Sequence, residues 1–210
     1  IPLFLVLLVS CLTKHIESEV EIFHTLDSHH KEKTYCFLPD PDNTKALESE
    51  YYNNLVRPYL EENGFRETSP KDANIFIGIF FMVSEGTAVN SSIPIFGQTG
   101  VSSSTTTGSA YSSGNHAFGS ATTTYNPSYG IVGTMNTTRI IYTRAFGIIM
   151  FDRESDSSGP VFQAIVLSNG PTRQLPKVAP YLIESLFHNF PGNNGETRTV
   201  RLQVRKEDIN

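Results

Sequence analysis

The chain has 210 residues, with 16 Lys and Arg against 21 Asp and Glu, a formal net charge of −5 and a pI near 5.7. That length fits one domain with a decoration, and the acidic balance argues against a nucleic-acid partner, which would need a clustered basic face. Hydrophobic residues at 39% can fill a core, and two cysteines exclude a disulfide scaffold and a multi-cysteine zinc site.

Residues 1–9 read Ile-Pro-Leu-Phe-Leu-Val-Leu-Leu-Val. The run is too short to span a bilayer and has the length of a secretory-signal core. No Met and no basic segment precede it, so it reads as a signal peptide (residues 1–10) cut at its start. An ordinary cleaved signal and the end of a truncated membrane helix are the alternatives. Leu8-Val9-Ser10-Cys11 resembles the lipobox of bacterial lipoproteins, in which the cysteine becomes lipidated. The resemblance implies that Cys11 carries a lipid anchor and that a domain in water hangs from a membrane surface. Leu12, where sorting patterns would place Asp for inner-membrane retention, points to the outer membrane, facing the periplasm. Residues 11–18 then form a lipidated tether.

A single α+β domain is expected over 19–205, with 206–210 as a tail. Val20, Ile22 and His24 alternate with Glu21 and Phe23, a short strand. Residues 33–38 give a second strand, with Cys36 as a small core residue, stopped by Pro39-Asp40-Pro41-Asp42. Asp42 or Asn43 can cap a helix running to Asn63, with Leu47, Tyr51, Leu55, Val56, Tyr59 and Leu60 as its apolar stripe. Pro58 predicts a kink or break just before it, and Gly64 can take the left-handed C′ position with Phe65 folding back. The nine apolar residues 75–83 read as a central strand buried on both faces.

Residues 84–138 differ from their surroundings. Ser, Thr, Gly and Asn make up 34 of these 55 residues, and Glu85 is the only Asp, Glu, Lys or Arg. Such a segment has little apolar area to offset its ordering entropy. It reads as an insertion, partly β near its ends, with a long Thr-rich β-hairpin arm as the alternative. Loops on rigid scaffolds concentrate binding residues, so Tyr111, Phe118, Tyr125 and Tyr129 are its candidate contact residues. The alternative is that they pack the insertion onto the domain.

From Arg139 a long strand ends at Asp152, and 161–167 returns as its hairpin partner across a polar turn. Leu175, Val178, Leu182, Leu186 and Phe190, widened by Ile183 and Phe187, predict a second helix. Pro176 and Pro180 suit its first turn or the residues just before it. Val200, Leu202 and Val204 mark a last, half-exposed strand. The order suits a two-layer α+β sandwich: a mixed, mostly antiparallel sheet of five to six strands with two helices on one face.

Several phrases resemble a family of bacterial envelope lipoproteins whose shared domain is one of unknown function. They are Lys33-Thr34-Tyr35, Gly64-Phe65, Ala73-Asn74, Phe151-Asp152, Val161-Phe162 and Phe190-Pro191-Gly192. Asn74, Phe162 and Gly192 stand where the family usually has Asp, Trp and Pro. The resemblance implies an envelope address and no established catalytic residue.

Chemistry-bearing motifs are sparse: no Gly-rich phosphate loop, no His-Glu-x-x-His and no Cys pair at metal spacing. His29-His30, with His24, Asp27, Asp40 and Asp42 nearby, is the best metal-like cluster, but adjacent histidines on extended backbone point to opposite faces. No metal, cofactor or catalytic residue is expected. The leading function is a membrane-anchored, non-catalytic module that binds an envelope protein partner or serves assembly. The alternatives are a hydrolase using His116 or His188 with a serine, and a surface adhesion module. Arg198, Arg201 and Arg205 with Lys206 read as a basic edge strand, solvated or facing an anionic surface.

Overall fold

The computed structural model describes residues 14–26, 33–39, 44–155 and 159–204. Among these described residues are eight strands and two helices: β1 (Lys14–His24), β2 (Thr34–Phe37), α1 (Ala46–Glu62), β3 (Arg66–Glu67), β4 (Ile75–Val83), β5 (Thr87–Ser113), β6 (His116–Asp152), β7 (Phe162–Gly170), α2 (Leu175–Phe187) and β8 (Glu196–Val204). The sheet order is β3-β2-β4-β6-β7-β1-β8, with β5 also on β6. Strand β1 pairs antiparallel with β7 and β8, and β6 pairs antiparallel with β4 and β7, while β2 pairs parallel with β3 and β4. The α+β class and the mixed, mostly antiparallel sheet are as expected from sequence, but eight strands replace five to six. The chain divides into two compact units, 1–87 with 140–210, and 88–139.

In the first unit both helices pack on one sheet face. That face carries Val20, Ile22, Ile75, Ile77, Phe146, Ile148, Met150, Phe162, Ala164 and Val166, all fully or nearly fully buried. The alternation of strand side chains puts these residues at every second position. From α2 come Leu175, Val178, Leu182, Ile183, Leu186 and Phe187, as the helical spacing requires. From α1 come Tyr52, Val56 and Leu60. Tyr52 meets Phe146 with ring centroids 5.8 Å apart, and Tyr59 stacks on Phe187 at 5.1 Å. The α1 stripe holds as expected at Val56 and Leu60, with Leu55 and Tyr59 partly buried, but Tyr52 takes the place of Tyr51 and Leu47 is 90% exposed.

Helix α1 runs unbroken through Pro58, where a kink or break was expected. Its capping candidates Asp42 and Asn43 lie outside the described residues. Its end follows the sequence closely. Gly64 takes φ +88°, its N–H bonds Glu61 O, and Phe65 N–H bonds Leu60 O. This is a Schellman closure, with buried Phe65 and Leu60 as the accompanying apolar pair. In α2, Pro176 sits in the first turn, but Pro180 lies inside the helix. Lacking an N–H, Pro180 leaves Pro176 O without its helical donor, and the Tyr51 hydroxyl approaches it at 3.5 Å. Arg198 closes the other end of α2 by donating from Nη2 to Leu186 O and His188 O. That fixes one of the basic C-terminal residues in a structural task. Arg201 pairs with Glu17 across β1 and β8. Arg205 and Lys206 lie outside the described residues.

Strand β1 starts at Lys14, so residues 14–18, expected as tether, pair with β8, and Ser18 also pairs with Ser168 of β7. Strand β4 is not buried on both faces: Phe80 and Met82 are exposed, on the face opposite the helices. Phe80 lies across its register partner Gly147, where a Cβ would come within 2.0 Å of the ring. The glycine is required for that approach. Cys36 is buried, as read from its run.

Two polar contacts within this unit have measurable consequences. Lys33 and Asp152 form an ion pair, and Asp152 also accepts from Glu154 N–H. Burial pushes the Asp152 carboxyl up. The Lys33 hydrogen bond and charge, with the Glu154 N–H, outweigh that and hold it below the usual carboxylate value. Arg144 is 2% exposed on the helix-covered face, and its Nη2 donates to Ser168 Oγ at 3.0 Å while its Nε has no partner. Burial lowers the pKa of its guanidinium.

A carboxyl depressed on folding stabilises above its unfolded-chain value, and the effect is lost as pH falls through the folded value. Asp152→Asn is expected to cost about 1–2 kcal/mol at pH 7 by urea unfolding. The gap between the two proteins should close as pH falls below the ordinary carboxylate range. Arg144→Met removes a buried charge that has no carboxylate partner among the described residues. It is expected to hold or raise stability, by up to about 1 kcal/mol in the same assay.

Candidate functional site

The second unit is a two-stranded ribbon. Strands β5 and β6 are joined by Gly114-Asn115, with Gly114 at φ +60°, the two-residue Gly-first hairpin turn. Thr, Val and Ile favour extended backbone, and Thr recurs along both strands. Hydroxyls and amides stitch the ribbon across its faces. Thr106 meets Thr123 at 2.9 Å and Thr99 meets Ser128 at 3.1 Å. Asn126 donates to Ser103 Oγ at 2.9 Å, and Ser102 donates to Asn126 O at 3.0 Å. The segment expected as an insertion with partial β structure is therefore continuous strand, the hairpin-arm alternative. Its order comes from cross-strand pairing, because the ribbon has no buried core of its own: every described residue of β5 except Gly97 is exposed.

The four candidate rings fall on two faces. Tyr111 stacks on Phe118 next to the turn, with centroids 5.5 Å apart, and His116 lies 6.4 Å from Phe118. Tyr125 and Tyr129 sit at odd offsets from Phe118 on the same strand, so they point to the opposite face. All four are exposed, Tyr129 by 72%. Sequence reasoning did not single out Phe96, Ile131 and Met135, which are exposed by 71%, 60% and 53%. Their signal was available, since single apolar residues recur between Ser, Thr and Gly along both strands.

The ribbon edges are open. Among the described residues, β5 pairs only with β6, and β6 pairs with β7 only from Tyr142 onward. No Asp, Glu, Lys or Arg occurs from Gly86 to Thr138.

The first unit holds a groove beside β4. Pairing of β2 ends where Leu38 N–H bonds Ile77 O. By strand alternation, the N–H and C=O groups of Ile79 and Phe81 then face the open side. A cavity of about 550 Å³ there is lined by Leu38, Lys45, Asn53, Gly78, Phe80 and Ile149 among others. The Asn53 side chain is nine-tenths buried. A second hollow of about 420 Å³ adjoins the start of α2, with Lys45, Glu48, Phe81, Arg173 and Lys177 on its walls.

The described histidines do not gather. His24 is tied to Gly192 O and Leu26 N–H. His188 follows α2, exposed, with its N–H on Glu184 O. His116 lies in the second unit and lines neither cavity. Among the described residues no three His, Cys, Asp or Glu side chains group as a metal site. Asp27, His29, His30, Asp40, Asp42 and Cys11 lie outside them. No helix among the described residues is long and apolar enough to cross a membrane.

Residues 27–192 match the family model described as a domain of unknown function, DUF4136, and the chain belongs to that family. No curated protein matches it. Among solved structures it is similar to a PDZ domain protein from Parabacteroides distasonis, at 13% identity and a TM-score of 0.46. That similarity covers 91% of this chain and 40% of the other.

The ring pair at the turn gives a measurable quantity. A double-mutant cycle of Tyr111→Ala and Phe118→Ala is expected to return a coupling of about 0.5–1 kcal/mol. Amide exchange of the residues flanking Gly114 reads it out.

Proposed function

From family membership that carries no activity with it, we propose a membrane-anchored, non-catalytic module that holds another envelope protein or serves assembly. The contact element of this module is the ribbon. The observation that carries the reading is a long, uncharged pair of strands with both faces and both edges exposed. Exposed apolar side chains in numbers mark interaction surfaces, and Tyr with Ser, Thr and Asn suits adaptable contact. The first unit has its own buried core and needs nothing from the ribbon to fill it.

Anchoring rests on the lipobox-like Leu8-Val9-Ser10-Cys11. Lipidation at Cys11 places the domain on the bacterial envelope, at the outer membrane facing the periplasm. A multiply acylated cysteine holds far more firmly than a single chain.

The test uses three forms in detergent-solubilised envelopes after mild crosslinking: full length, Cys11→Ala, and one with a short turn in place of 88–139. Cys11→Ala is expected in the soluble fraction. The turn-replaced form is expected to keep its fold by circular dichroism and to lose the crosslinked partner. Unchanged partner capture by a folded turn-replaced form would refute the ribbon as contact element. Cys11→Ala remaining in the membrane fraction would refute the anchor.

A further inference from the structure

An isolated two-stranded hairpin is at best marginally stable in water, because it lacks a third strand or a covering helix. Here the residues of β5 and β6 from Ala88 to Arg139 make up one compact unit, and almost all of them are exposed. We propose that this ribbon pairs edge to edge with the ribbons of other copies of the same chain. The inference rests on the ribbon as contact element and names its partner.

Three observations single out a second copy. The first is backbone: each strand of the ribbon has one side on the other strand and one side open among the described residues. Each open side is a row of unpaired N–H and C=O groups, a template for another strand.

The second is the scarcity of the devices that natural edges use against pairing, Pro94 in β5 and Pro127 in β6 being the two prolines of the ribbon. Such devices are short length, charged side chains and proline. Strand β5 has 27 residues, and from Ile95 to Ser113 it contains neither a charged residue nor a proline. Glu85 and Arg139, the nearest charges, stand outside the stretch on both sides.

The third is electrostatic. The net charge of −5 is carried wholly outside residues 86–138. Two copies that meet along the ribbon therefore bring no like charges together there. They also present edges of equal length and the same Ser and Thr chemistry, so pairing can run along β5 from Ile95 to Ser113. Pairing of β5 with β5 of a second copy gives a two-fold, four-stranded sheet. Pairing of β5 with β6 of the next copy, repeated around a ring, leaves no edge open. The ring closes every ribbon edge, whereas the two-fold sheet keeps one open β6 edge on each copy.

The experiment is light scattering on the size-exclusion-purified Cys11→Ala protein, which removes association through lipid. It is run at micromolar and at hundred-micromolar concentration. A discrete oligomer is expected at the higher concentration. Adding Ser103→Lys with Thr107→Lys, both exposed on β5, is expected to weaken association at least tenfold. The form with a short turn in place of 88–139 is expected to be monomeric. A monomer at both concentrations overturns the proposal, as does an oligomer that persists without the ribbon. So does an oligomer unmoved by the two lysines while the circular dichroism spectrum is unchanged. Capture of a different protein by a ribbon that stays monomeric also overturns it, and leaves the contact-element reading standing.

Discussion

Hydrogen bonding along one strand organises this protein. Strand β6 has 37 residues. From Arg144 to Met150 it lies between β4 and β7, so both sides of its backbone are partnered and every second side chain faces the helices. In the second unit β5 supplies one side only. The same strand is thus a buried centre in one unit and an exposed half of a ribbon in the other. A backbone donor or acceptor that water or a neighbour must satisfy is cheap at a surface and costly once buried. That difference separates a unit that is complete in itself from one that is open to another chain.

The first unit gets its order from packing. Both helices place apolar stripes on one sheet face, and the rings of Tyr52, Tyr59, Phe146 and Phe187 link the two layers. Local hydrogen bonds finish the ends: the Schellman closure after α1, and Arg198 on the last carbonyls of α2. Arg144 runs against this pattern, a guanidinium under the helices with a serine for company. The second unit gets its order from a ladder of backbone bonds and hydroxyl contacts. With no apolar face buried, it has little to hold it except strand pairing.

What was legible in the sequence follows the range of the interactions. Helix α2, the closure at Gly64-Phe65 and the β6–β7 hairpin are written in near neighbours, at spacings of three to four residues or across one turn. The first two turns of the α1 stripe were misread while Val56 and Leu60 were right, because Leu47 and Tyr51 fit the spacing as well as Tyr52 does, and only contact with Phe81 and Phe146 chooses between them. Strand β4 looked buried on both sides because a run of nine apolar residues carries no sign of Gly147 beneath Phe80.

The ribbon was the hardest part. Its composition is that of a disordered insertion, and the order depends on register between residues such as Asn90 and Thr138, 48 apart. Gly114-Asn115, with Thr-rich tracts on both sides, was the available hairpin signal. Of the candidate site, the rings were legible as residues. That Tyr111 shares a face with Phe118 was not, since it needs the register between the two strands.

The measurement that bears most directly on this account is residue-resolved amide hydrogen exchange over 88–139 in the intact protein. An ordered ribbon gives slowed exchange on both strands, centred away from the Gly114 turn, with protection that rises with protein concentration as open edges find partners. Exchange at the rate of an unstructured peptide throughout 88–139, at every concentration, would contradict it.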